Sequence, residues 1–192
     1  WSIEAVVAEP DLVTPTACCF DFDGRLFVIE CHTHFPPEDY DGPSTDRILV
    51  FEDSDGDGRL DAKSVFYEGG KATMGLAIAT DGSLLAVTRN EVTRHRDTDA
   101  DGRCDRSDVL LSLETSANYP HNGLGGIAVD AAGDILIGLG ENFGEPYKLI
   151  ASDGSRQVGG GEGGGIFRMT PQGGDLMRVA TGFWNPFGIC VD

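Results

Sequence analysis

Positive charge is scarce in this sequence: 14 lysines and arginines stand against 32 aspartates and glutamates, a formal net charge of −18. That deficit argues against nucleic-acid and anionic-membrane partners, which are held by basic surfaces. Long apolar runs are missing too, and none approaches the ~20 residues of a membrane-spanning helix. Helical periodicity is nowhere convincing. Cysteine is present without informative spacing: Cys18, Cys19, Cys31, Cys104 and Cys190 include no Cys-x-x-Cys-His for haem attachment and no zinc pattern. Cys31-His32-Thr33-His34 places two histidines at alternate positions without further ligands, and reads as surface rather than as a metal site. The chain opens at Trp1, without methionine or a signal sequence, and reads as a processed product or a piece of something longer.

What is present is a repeated phrase. His121 to Asn142 holds a histidine in a glycine-rich lead, an apolar run from Gly126 to Val129, a turn, and a second run from Ile135 to Leu139. The runs are short and β-branched, and Gly133 can supply the positive φ of a tight bend, so the stretch reads as a hairpin. Phe20–Val28 and Leu76–Val87 repeat it, and Gly188–Asp192 begins a fourth copy. Gly24, Gly82 and Gly133 mark a period of roughly fifty to sixty residues, longer than the ~40–45 of WD-repeat blades. Repeat units fall at about 17–70, 72–116 and 121–183, with a fourth starting at 185–192. Short strands, frequent turns and this period predict an all-β fold, a β-propeller of the six-bladed type, of which the chain is roughly the first half. A β-sandwich is the alternative, but it leaves the repeated order of hairpin, strand, acidic loop and strand unexplained.

The acidic loops carry the strongest local signal. Asp53, Asp55 and Asp57 alternate, followed by Gly58 and Asp61; Asp97, Asp99, Asp101, Gly102 and Asp105 repeat the spacing. Acids at positions 1, 3, 5 and 9 with a bend-permitting glycine at 6 suit a hard cation such as Ca²⁺. The bidentate glutamate of an EF-hand is missing: Ser64 stands at position 12 of the first loop, and Asp108 at that of the second, where it would add a carboxylate. The plain alternative is a pair of polar turns. A structural role, pinning a long connection, is expected rather than a catalytic one. His121, from the residues alone, reads as a structural or surface histidine, with a general base as the alternative. Arg89-Asn90 and Glu141-Asn142 follow the second strands of their hairpins and are weak site candidates. Ser155–Gly165 reads as a glycine-rich insertion, and Asn185, held extended before Pro186, as an amide facing a channel.

The segments HNGLGGIAVDAAGDILIGLGE, GGGIFRMTPQGGDLMRVATGF and NPFGICVD follow one another as in the quinoprotein glucose/sorbosone dehydrogenase propellers. Still more closely, with the acidic loops included, the chain resembles a large bacterial family of membrane-bound-dehydrogenase type. The resemblance covers the chain from Ala17 onward. It implies a periplasmic or extracellular enzyme oxidising a sugar or alcohol and passing electrons to a c-type haem domain lying beyond Asp192. It implies His121 as the base that abstracts the hydroxyl proton, and Asn185 as a contact to pyrroloquinoline quinone. Trp184 stands where the soluble quinoprotein enzymes have an arginine. The remaining blades and the haem domain are the implied partners. A non-catalytic, calcium-stabilised propeller that binds glycan or protein is the alternative function.

Overall fold

The computed structural model describes residues 3–191. The structure is built from strands, with only two single-turn 3-10 segments among the described residues. Blade 1 is an antiparallel sheet of β1 (Pro15–Phe20), β2 (Leu26–Glu30), β3 (Asp46–Glu52) and β4 (Ala62–Gly70), paired in chain order. Blade 2 repeats this with β5 (Thr73–Ile78), β6 (Leu84–Thr88), β7 (Glu91–Arg96) and β8 (Arg106–Thr115). Blade 3 consists of β9 (Leu124–Val129), β10 (Ile135–Leu139), β13 (Gly164–Met169) and β14 (Met177–Phe183). Residues 3–14, ahead of β1, form no strand.

The interrupted numbering of blade 3 reflects an inserted hairpin, β11 (Tyr147–Ala151) and β12 (Arg156–Gly159). β11 pairs with β8, so the insertion extends blade 2 into a six-stranded sheet. The stretch that reads in sequence as a glycine-rich loop therefore contains a strand. The turn after it is fixed by Glu162, whose carboxylate accepts hydrogen bonds from the Tyr147 hydroxyl at 2.8 Å and the Gly160 N–H at 2.6 Å.

The inner hairpins share one turn. Gly24, Gly82 and Gly133 sit at φ +83°, +82° and +87°, and each N–H closes onto the carbonyl three residues back. Only glycine adopts this backbone without strain. The inner strands β1, β5 and β9 abut in succession, which sets the blades radially around an axis. Each inter-blade space is an apolar layer, and burial on both faces explains why β2 and β6 read as unbroken apolar runs. Phe27, Ile29, Ile48 and Phe66 of blade 1 meet Leu76, Leu84 and Ala86 of blade 2. Leu85, Val87 and Leu111 meet Ile127, Ile137 and Phe167 on the next side. Val7 and Leu12 cover part of the outer face of blade 1 against Leu26, Val28 and Phe51.

Two buried polar groups join the first two blades. Asp46 takes the N–H groups of His32, Thr33 and Thr73 and the hydroxyls of Thr33 and Thr73, all at 2.8–3.0 Å. His95 stacks on Tyr67, accepts or donates at Nδ1 to Ser107 Oγ at 2.8 Å, and burial lowers its pKa to about 4.

Candidate functional site

His121 lies on the 3-10 turn Pro120–Asn122 that leads into β9, because Pro120 fixes the first turn position and Asn122 is buried behind it. This puts the imidazole at the mouth of a 610 Å³ cavity against the inner strands. The cavity is lined by Thr16, Ala17 and Cys18 of β1, Gly75 and Leu76 of β5, Ile127 of β9, and Phe187 to Ile189. Glycines make room for that last segment. A Cβ on Gly126 or Gly138 would lie 2.5 or 2.3 Å from the Pro186 carbonyl oxygen.

Above the cavity, four rings from two loops pack in a closed circuit. His34 meets His121 at 4.3 Å between ring centroids and 84° between planes, His121 meets Tyr119 at 5.3 Å, Tyr119 meets Phe35 at 5.4 Å, and Phe35 returns to His34 at 4.9 Å. Phe35 remains 60% exposed. Burial, with His121 beside it, holds His34 below the ordinary imidazole range and hence neutral at neutral pH. His34 is the site residue that sequence reasoning missed: the only local sign was its place in a His-x-His pair within a polar loop.

The amides behind His121 form a closed network. Asn185 Nδ2 donates to Asn122 Oδ1 at 3.1 Å, Asn122 Nδ2 donates to Glu141 Oε1 at 2.5 Å, and the Glu141 N–H reaches Asn185 Oδ1 at 3.4 Å. Asn185 thus braces the segment before Phe187 instead of presenting a free amide to the channel. Arg89 is likewise committed. Its guanidinium donates to the carbonyls of Tyr119 and Ala117 and to the Asn90 side chain, clamping the loop that carries His121. A second cavity, of 430 Å³, lies between blades 1 and 2 over Tyr67 and His95; Arg89 and Pro120 line it, and none of the four rings does.

Pyrroloquinoline quinone bears several carboxylates and demands cations. Among the described residues no lysine or arginine lines the cavity beneath His121, Arg89 is spent on two carbonyls and the Asn90 side chain, and Trp184 is exposed. The described residues do not fit that cofactor.

The acidic loops are the β3–β4 and β7–β8 connections, in equivalent places on two blades. Both fold alike. Asp53 Oδ1 accepts from the Gly56 and Asp57 N–H groups and Oδ2 from Gly58; Asp97 accepts from Ala100, Asp101 and Gly102 in the same pattern. Asp61 and Asp105 close the loops onto Ser54 and Thr98. Carboxylate oxygens of Asp53, Asp55 and Asp57 lie within 4.8 Å of one another, as do those of Asp97, Asp99 and Asp105. Oxygens sharing a Ca²⁺ at about 2.3–2.6 Å lie within roughly 5 Å of each other, so both groups suit that ion. Asp101 lies outside the second group, though it accepts the Arg103 N–H at 2.8 Å just as Asp57 accepts that of Arg59. Asp108 does not extend the second loop. It stands on β8 between Arg96 and Arg106, and its hydrogen bonds to Arg106 first, with Arg96, hold its carboxyl below the usual range.

Fold and site define a partial β-propeller with a histidine at the axial mouth and two acidic outer loops. The chain belongs to the family described as a domain of unknown function, DUF7133, which matches residues 1–192. Among curated proteins nothing matches it. Among solved structures it is similar to the holo form of the pyranose dehydrogenase PQQ domain from Coprinopsis cinerea, with 13% identity over 77% of this chain and 35% of that one and a TM-score of 0.45. It is also similar to the calcium structure of a Trichoderma reesei carbohydrate-active enzyme of family AA12 (20%, 70% and 33%, 0.45). A third is a luciferin-regenerating enzyme (11%, 88% and 63%, 0.49). The chain thus spans about a third of the first two proteins and less than two thirds of the last.

Proposed function

We propose that this chain is the first half of a six-bladed propeller in an exported sugar or alcohol dehydrogenase, with His121 taking the proton of the reacting hydroxyl. The observation that carries the reading is the His121 imidazole at the cavity, with no hydrogen-bond partner among the described residues while Arg89, Asn122 and Asn185 around it are engaged. Loss of the O–H proton to His121 is half of an alcohol oxidation; the hydride on the hydroxyl-bearing carbon goes to a two-electron organic acceptor held outside these residues, which then passes its electrons singly to a haem-bearing partner. Calcium in the two acidic loops has a structural role, remote from this step. The test is dye reduction by the full-length protein with calcium and a panel of sugars and alcohols, with and without added quinone. Turnover should fall by about a hundredfold or more in His121→Ala; turnover retained in that variant removes the reading.

A second reading is favoured by the lack of a cation in the cavity and by Trp184, 77% exposed beside it in the chain. In it the propeller binds glycan or protein without chemistry, and the same assay gives binding and no turnover with any acceptor.

A further inference from the structure

The cavity between blades 1 and 2 is built apart from His121. Its 430 Å³ falls within the size range of small-molecule sites. Ile48 of β3 and Ala86 of β6 give it an apolar floor, and both belong to the core layer that joins the two blades. Tyr67 of β4 stands beside them, its ring held against His95 at 4.1 Å between centroids. Side chains alternate along a strand, so Glu91 and Thr93 of β7 face the same way as His95, and Thr93 lies opposite Ala86. The loop ahead of His121 adds Asn118 at the mouth.

The polar groups around this floor are unused. The hydroxyls of Tyr67 and Thr93, the Glu91 carboxylate and the Asn118 amide make no hydrogen bond or ion pair among the described residues. Neither hydroxyl is sealed from water, and Glu91 and Asn118 are exposed, so a ligand reaches all of them. Charge in the cavity is balanced. Asp46 is spent on its five hydrogen bonds and Arg89 on the loop ahead of His121. Arg47 turns to Glu30 and Glu68, at 3.8 and 3.6 Å. Glu91 and Lys71, one charge of each sign, remain unpaired among the described lining residues.

We propose that this cavity is a second binding site, and that it takes a neutral ring bearing several hydroxyls, a pyranose sugar. Such a ring carries C–H groups on its faces and hydroxyls at its rim. The C–H face lies on Ile48, Ala86 and the Tyr67 ring. The rim meets Tyr67 and Thr93 hydroxyls that give or take a hydrogen bond, a carboxylate that accepts and an amide that does either. The balanced charge gives neither an acidic nor a basic sugar an advantage. The site stands whether or not His121 is a base, and dye reduction by the unaltered protein decides that question separately.

The test is a saturation-transfer NMR titration of the full-length His121→Ala protein, in which the other cavity is altered, with methyl glucoside as the probe. Cyclohexanol, glucosamine and glucuronate serve for comparison. Methyl glucoside should bind, cyclohexanol should bind at least about tenfold more weakly, and the two charged sugars should match the glucoside. Tyr67→Phe and Glu91→Gln, added singly, should each weaken the glucoside about tenfold. Neither substitution removes a hydrogen bond within the protein, so both variants should keep the parent's melting temperature. No binding of the glucoside, or binding unchanged in both variants, overturns the proposal. Cyclohexanol binding equally well overturns it too, as does a tenfold preference for either charged sugar.

Discussion

At the scale of single residues, the buried polar groups make the strongest demands. Asp46 carries five hydrogen bonds spread over the loop bearing His34 and the start of blade 2. Asp46→Ala leaves those donors unpaired in a sealed space, and should cost at least about 3 kcal/mol in urea unfolding. His95 makes a pH-dependent contribution. Its folded pKa is near 4 while an unfolded histidine titrates near 6.5, so between these values the unfolded chain binds a proton that the native one refuses. Stability present above the unfolded value is lost progressively as pH falls toward 4, by about 3 kcal/mol in all. Denaturant melts across that window should show the loss, and His95→Phe should flatten it. Asp46 and Asn185 also show where sequence reading stops. An aspartate opening a strand and an asparagine before proline look alike whether they face solvent, a channel or another blade, because their partners lie far away in the chain.

At the scale of elements, the strands were legible and their partners less so. β10 appears in sequence within the boundaries it keeps in the structure, since an apolar run bounded by turn residues is a local signal. β11 and β12 were hidden because β11 finds its pairing partner in the preceding blade, which no local pattern reports. The acidic loops were visible by spacing alone, and their nearly identical hydrogen bonding makes them one motif used twice. Calcium should raise the melting temperature and chelator should lower it; Asp53→Asn with Asp97→Asn should remove the response, and an unchanged melt would leave the loops as polar turns. The second loop carries Ala100 at φ +63° where the first has Gly56 at +79°. Ala100→Gly relieves that strain against a higher chain entropy, and should stabilise by about 0.5–1 kcal/mol in denaturant melts. Gly126→Ala acts in the opposite direction: its Cβ would strike the Pro186 carbonyl, so thermal melts should show a loss of about 2 kcal/mol or more.

At the scale of the whole molecule, the ring is assembled by neighbours completing one another. The inner hairpins of blades 2 and 3 are smoothed by glycine where the next segment crosses, and the two large core layers each belong to two blades at once. Replacing 146–160 by a short linker should lower the melting temperature and promote association, because it bares the edge of β8 that β11 now covers. The same hairpin bears on how such a ring can change over generations. The stretch of chain that encodes blade 3 also encodes the outer two strands of the sheet before it. A duplication or swap of that contiguous segment would strip one blade while copying another, so the repeat is modular in shape but not in inheritance.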